Sequence, residues 1–423
     1  MTRAILQDDA GGTPADSLPH ENQPHENLGT FQDTSSDSSA LVHRFPWAAL
    51  LIMALMGFLL IATETMPAGL LPQISAGLDI TEGTAGQFVS AYALGTVVAA
   101  MPAVAITRSM RRKPVFVVGI LGFLAANLVT AFSADIVLSL AARLLAGAFS
   151  GLLWGIIAGY ARRITAPEHA GRALAVASLG TPVGLAVGTP FGSWLGTTWD
   201  WRWSFGVLAI LTLLTVLLAV FLVPDAPGQH AGTRVPLVRV LGFPGVAVVL
   251  AVVVTWMLGH NILYTYIGSY LRSTGLPLPV EIALMVFGAA AIAGIAITGG
   301  VIDSGLRRLS LLSLAAFIAA GVIIIVGHAS AAAVVTAIVL WGIAFGGAAA
   351  QLQTAISAAS GHNADVANAM LGVAFNLAIF AAGVAGAVMI SNFDGLVLPA
   401  VMAGLAAVAL LFAIAGRRTA FPT

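Results

Sequence analysis

Glu64 is the residue from which chemistry is most readily argued. It sits in Leu60-Ile61-Ala62-Thr63-Glu64-Thr65-Met66-Pro67, and no other Asp, Glu, Lys or Arg occurs between Arg44 and Asp79. If this run is a helix, Glu64 lies about 25 Å along it from Trp47, near one edge of a ~30 Å hydrocarbon layer. A carboxylate there costs at least a few kcal/mol unless it is protonated, paired or facing a water-filled cavity. Such a group takes up and releases a proton according to which aqueous side reaches it. The competing reading puts Glu64 at the water line, or makes it a cap where Pro67 breaks the helix. Arg143 is the one base inside an apolar run. It is either a fixed charge that tunes a carboxylate or orients a solute, or a static partner held by backbone carbonyls or by Glu64.

Weaker candidates surround these two. His260, Asn261 and Tyr264 fall on about one helical turn, and with Asn376 and Trp154 they form the expected solute cavity, flanked by Trp256 and Phe375. So few polar groups favour an amphipathic, drug-like solute over a sugar that needs many hydrogen bonds. Asn127, Gln351 and Gln353 are equally suited to bonding between helices. Gly180, Gly184, Gly188, Gly192 and Gly196, with Pro190, recur at helical spacing. They make a face without side chains, expected to be a packing seam along which two halves of the molecule slide. Arg108, Arg111 and Arg112, and Asp303 with Arg307 and Arg308, are candidates for a gate at one membrane face. Topology alone also accounts for the arginines.

The elements that position these residues follow from composition. Of the 423 residues 59% are hydrophobic and 9% charged, whereas a soluble domain carries about 25% charged residues. The expected class is an all-α membrane protein. Eighteen basic and 18 acidic residues cancel, leaving no footprint for nucleic acid, and the absence of cysteine excludes disulfide scaffolds and thiol catalysis. No phosphate-cradling Gly-Lys-Ser/Thr loop, His-Glu-x-x-His pair or Gly-x-Ser-x-Gly elbow occurs, so no enzyme, cofactor or metal site is expected. Residues 1–45 hold seven of the 18 acids and read as a disordered tail, in which two Pro-His-Glu-Asn copies make a poor metal site.

Twelve apolar runs follow, at about 47–70, 84–106, 114–132, 136–160, 173–196, 203–223, 245–270, 281–302, 309–327, 331–356, 367–390 and 396–416. Counting Lys and Arg by side assigns fourteen to one face and only Arg202 and Arg272 to the other. The positive-inside rule then places the tail and both termini in the cytoplasm.

Ala103-x-x-x-Thr107-Arg108-Ser109-Met110-Arg111-Arg112 and Gly299-x-x-x-Asp303-Ser304-Gly305-Leu306-Arg307-Arg308 stand 196 residues apart. This is a parallel internal repeat of six spans each. It divides the chain into a bundle over 46–223, a linker over 224–243 and a second bundle over 244–418. The chain resembles the major facilitator superfamily, in particular the bacterial drug/sugar efflux branch of proton antiporters, over about 45–418. The family's loop motif is carried by Gly299, Asp303, Gly305, Arg307 and Arg308. In the first half Ala103 and Thr107 replace its Gly and Asp. Arg143 and Gly147 match the fourth-span motif, with Ala146 where many relatives have Gln. Gly184, Gly188, Pro190 and Gly192 match the fifth-span motif, interrupted by Thr189. Thr63 to Pro72 is similar to the efflux signature.

The resemblance implies a monomeric carrier in the bacterial inner membrane, surrounded by lipid. It would export a small molecule in exchange for protons by alternating access, with Glu64 and Arg143 in proton coupling. A proton-coupled importer is the alternative, followed at a distance by a membrane sensor or intramembrane enzyme.

Overall fold

A computed structural model describes residues 45–228, 241–243 and 245–421. The acidic tail, Arg44, Arg234, Arg239 and the middle of the expected linker lie outside the described residues. The described chain is helical, with no strand among the described residues. Among the described residues eleven helices are long and apolar enough to cross a membrane: α1 Trp47–Gly69, α2 Glu82–Thr107, α3 Arg112–Phe132, α4 Ile136–Arg163, α5 Pro167–Thr198, α6 Trp201–Leu222, α7 Val246–Thr265, α8 Val280–Val326, α9 Ala331–Ser360, α10 Val366–Asn392 and α11 Gly395–Ala415.

The difference from twelve expected runs lies in α8. Its 47 residues merge the runs expected at 281–302 and 309–327, and the backbone leaves helical geometry at Gly305 (φ 176°, ψ 62°). A straight helix of that length would be about 70 Å long, more than twice a ~30 Å hydrocarbon layer. The break falls inside the second copy of the repeated loop.

Helix starts are marked by chemistry at one end of the bundle. Side chains of Thr81, Asp135, Asp200, Ser330 and Asp394 accept backbone N–H groups at the starts of α2, α4, α6, α9 and α11. These caps satisfy donors that have no intrahelical acceptor, and the three aspartates also complement the positive helix terminus. All five lie at the arginine-poor end. Three acids of that end are therefore structural.

Small residues set the helix spacing. A Cβ on Gly180, Gly184, Gly188, Gly192 or Gly196 would strike Ala54, Phe58, Ala62, Met66 or Leu70 respectively, each 126 residues earlier. The ridge is a ladder against α1, rung by rung, with both helices running the same way. It therefore seals two neighbours within residues 45–228 and is not the expected seam between halves. A different α5 face meets the C-terminal segment, where Gly288 abuts the backbone of Leu185 and Ala186. Within α5, Gly184–Gly188 widens into a π-helical turn closed by Thr189 N–H to Gly184 O. Pro190 follows directly and supplies no N–H of its own, which favours this wider bond.

The internal repeat is legible in the packing. Gly95 of α2 abuts the Leu144 carbonyl, and Gly147 of α4 abuts that of Tyr92. The positions 196 residues on, Ala291 and Ile343, present their own carbonyls to Gly346 and Gly294 at the α8–α9 crossing. Gln351 of α9 braces α8 by donating to Thr298 Oγ1 (3.3 Å) and Ser313 Oγ (3.1 Å), one on each side of Gly305.

Candidate functional site

Glu64 occupies the last regular turn of α1, before the 3-10 turn Met66–Gly69. At 8% exposure it is the one buried carboxylate among the described residues. The ion pairs there are Arg111–Asp225, Arg202–Asp200 and Arg272–Glu82, so neither Glu64 nor Arg143 belongs to one.

Arg143 is fully buried on α4. Its Nε donates to Phe88 O of α2 (3.0 Å) and its Nη2 to Thr63 O of α1 (2.9 Å), the carbonyl just before Glu64. The guanidinium lies over the Tyr92 ring at 4.7 Å and the Phe205 ring at 5.4 Å. Its Nη1 is buried without a partner, as are Thr63 Oγ1 and Ser150 Oγ nearby in sequence and fold. Tyr92 Oη donates to Leu60 O, one turn before Glu64 (3.1 Å). Three helices are thus tied by polar bonds at the level of one carboxylate. Of the two readings of Arg143, the carbonyl-held one describes its contacts in this state.

The C-terminal cavity candidates gather in an aromatic cluster. The His260 ring stacks on Phe345 with centroids 3.5 Å apart and lies 5.5 Å from Phe287. Trp341 Nε1 donates to His260 Nδ1 (3.1 Å). An indole N–H only donates, so Nδ1 is an acceptor and the ring proton sits on Nε2. Tyr264 and Trp256 are buried, and Trp256 Nε1 has no bonding partner. The rest do not converge with them. Asn261 and Asn376 donate to carbonyls of their own helices, Met257 O and Gly372 O. Trp154 packs against Gly57 of α1. Asn127 likewise bonds its own helix at Phe123 O, and Gln353 is exposed.

At the arginine-rich end the expected gate residues turn to other partners. Arg111 pairs with Asp225, whose carboxylate also accepts the Lys113 and Ala226 backbone N–H groups. Slight burial works against ionisation of Asp225. The bonds from Arg111, Lys113 and Ala226 outweigh it and hold the carboxyl below the usual aspartate range. Arg112 Nη2 donates to Arg108 O (2.9 Å), while Tyr160 Oη donates to Pro224 O (2.7 Å). Arg307 Nη1 donates to Phe421 O (3.3 Å). Asp303 and Arg308 are exposed, and Asp303 forms no ion pair with Arg307 or Arg308 in this state. Arg111 and Arg307 are 196 residues apart, as are Asp225 and Phe421. The repeat therefore holds the strap after α6 and the tail after α11 at corresponding positions, the first through a carboxylate and the second through a backbone carbonyl. Sequence reading missed Asp225, whose one signal was an acid just beyond an apolar run.

Hydrogen bonds between the N- and C-terminal segments gather at the opposite end. Glu82 accepts from Ser269 Oγ (2.7 Å) and pairs with Arg272, Gln87 Nε2 donates to Gly383 O (3.3 Å), and Ser90 Oγ donates to Phe380 O (3.2 Å). A cleft of about 990 Å³ lies over these contacts, lined by Glu82, Gln87, Ser269, Arg272, Ser391 and Asp394 among others. Among the described residues no such bond joins the segments at the arginine-rich end.

An apolar helical bundle with eleven candidate spans among the described residues marks a multi-pass membrane protein. A family model described as Major Facilitator Superfamily matches residues 53–383, and the chain belongs to that superfamily. It is 28% identical over 384 residues to a chloramphenicol efflux pump of Mycobacterium tuberculosis (strain H37Rv), covering 86% of this chain and 92% of that protein. It is 24% identical over 349 residues to a probable sugar efflux transporter of Helicobacter pylori (strain G27), covering 82% and 89%. Among solved structures, a D-xylose-proton symporter superposes with a TM-score of 0.71 at 14% identity, over 90% of this chain and 98% of that one. A bacterial homolog of the human lysosomal transporter Spinster, in an inward-facing and occupied conformation, also gives 0.71, at 13% identity over 88% and 96%.

Proposed function

We propose that the protein exports a small amphipathic molecule from the bacterial cytoplasm in exchange for protons. Two six-helix bundles would provide alternating access, with α8 counting as two crossings divided at Gly305. The observation that carries this reading is Glu64: the one buried carboxylate among the described residues, one peptide from a carbonyl held by a buried guanidinium. The matching packing 196 residues apart supports two bundles. The fourteen-to-two arginine and lysine asymmetry supports a cytoplasmic arginine-rich end and cytoplasmic termini.

With bonds between segments confined, among the described residues, to the arginine-poor end, this conformation is read as the one closed to the outside. Glu64 takes up a proton when the outer end opens. The bundles rock, and proton release on the cytoplasmic side accompanies solute loading. Coupling requires that proton and solute each favour different states. His260, Asn261, Tyr264, Trp154 and Asn376 remain the candidates for solute contact, and Asp303, Arg307 and Arg308 for a cytoplasmic gate formed in the other state. The named relatives make chloramphenicol and sugars the first solutes to try, and the apolar, aromatic character of the candidates ranks chloramphenicol ahead. The carrier works as a monomer.

The test is proton movement in everted vesicles from an overexpressing strain. Adding solute should discharge a preformed pH gradient, and Glu64→Gln should abolish the discharge while protein level and folding are kept. Retained discharge in that variant removes Glu64 from the mechanism. A fall in cellular solute on collapsing the gradient, in place of a rise, turns the reading to import.

A further inference from the structure

In an α-helix the carbonyl of each residue accepts the N–H four residues on. For Thr63 that residue is Pro67, which has none. The neighbouring Ala62 carbonyl is served, taking the Met66 N–H, and the Ile61 carbonyl takes the Thr65 hydroxyl at 2.8 Å. The sequence alone therefore leaves the Thr63 carbonyl without its helical donor, on a residue with no exposure. A buried carbonyl is costly to leave unbonded. Arg143 Nη2 fills that position from another helix, at 2.9 Å.

The consequence for Arg143 is geometric. Nη2 is fixed on α1, Nε is fixed on Phe88 O of α2, and the guanidinium is bounded by the Tyr92 and Phe205 rings. Only Nη1 is left unbonded, and it is buried. The cation is thereby held one peptide unit from the Glu64 backbone.

We infer that Pro67 is a positioning residue for proton coupling: by offering no N–H it reserves the Thr63 carbonyl for Arg143 and so fixes the guanidinium against the turn that carries Glu64. The inference rests on Glu64 being the coupling carboxylate. Alanine at this position would supply a competing donor and release Nη2. What matters is the missing N–H, not the stiffness of the proline ring.

The experiment compares Pro67→Ala with Pro67→lactate, an ester that lacks the N–H and also lacks the ring. Both are made by nonsense suppression in cell-free synthesis and assayed in liposomes of phosphatidylethanolamine and phosphatidylglycerol loaded with a pH indicator and supplied with chloramphenicol. Pro67→Ala should lower solute-driven proton flux roughly tenfold, the scale of one charge-assisted hydrogen bond, and displace the midpoint of its pH profile. Pro67→lactate should stay within about twofold of the parent with its midpoint in place. In parallel, a solid-state NMR distance between Thr63 ¹³C′ and Arg143 ¹⁵Nη should lengthen in Pro67→Ala and persist in Pro67→lactate. Equal loss in both variants, or an unchanged NMR distance in Pro67→Ala, overturns the inference. If the NMR distances behave as expected but Glu64→Gln still couples, the positioning geometry stands and the assignment of Glu64 falls.

Discussion

Neutralising Glu82 probes the end at which the N- and C-terminal segments are bonded. The carboxylate of Glu82, in the first turn of α2, meets Arg272 and Ser269 from the helix following α7. The Arg272 side chain is 49% exposed and that of Glu82 24%, so water screens the pair substantially. An exposed pair contributes about 0.2–1 kcal/mol, and the Ser269 hydroxyl bond loses about 1 kcal/mol when its acceptor changes from a charged carboxylate to a neutral amide oxygen. Glu82→Gln keeps the shape and removes the charge. The conformation closed at this end should lose about 1.5 kcal/mol against the open one, roughly tenfold in their ratio. Because the chain contains no cysteine, spin labels can be placed singly, for instance by Ala76→Cys and Asn392→Cys. Pulsed dipolar spectroscopy then reads the distance across the outer end. The long-distance population should grow roughly tenfold in Glu82→Gln, and the exchange Glu82→Arg with Arg272→Glu should recover the short one. An unchanged distribution in Glu82→Gln would refute the reasoning, since no other ion pair among the described residues joins the segments.

Two further outcomes are expected. Gly180→Ala places a methyl group on the Ala54 carbonyl and beside Phe58 N, whereas Gly159→Ala meets nothing within 4 Å. The first should destabilise by about 1–3 kcal/mol, while the second should be neutral or stabilising by up to about 1 kcal/mol, checked by thermal unfolding in detergent. The strap at 224–228 depends on ionised Asp225, whose folded value lies below that of a free aspartate. Its contribution is complete above the free value of about 4 and is lost as pH falls through the folded one. The protection of the Lys113 and Ala226 amides, taken relative to their intrinsic exchange rates at each pH, should be high at neutral pH and fall in strongly acidic buffer, and Asp225→Asn should lose that pH dependence.

The elements themselves were largely legible in sequence, because apolar runs bounded by charges need no tertiary information. The one discrepancy, at α8, came from a short break at Gly305 that leaves the flanking helices nearly continuous. Neighbours were harder. Fourfold spacing showed that Gly180 to Gly196 share a face, yet spacing is silent on what that face meets, and the partner proved to be α1. Arg143 stood out by charge, but its partners are carbonyl oxygens, which every residue carries and no side-chain pattern reveals. Asp225 went unnoticed because it pairs with a residue 114 positions away. The loop motif pointed to Asp303, while in this conformation the repeated arginine is bonded to the backbone of Phe421.

The glycine ladder has a mechanical consequence. Five successive rungs without side chains join α5 to the helix that carries Glu64, so the two are geared with almost no play. The opposite surface of α5 rests on Gly288 of the other segment. If the segments move as proposed, a displacement felt there is expected to be delivered through this ladder to the acidic turn of α1, with α5 acting as a push-rod toward the carboxyl group.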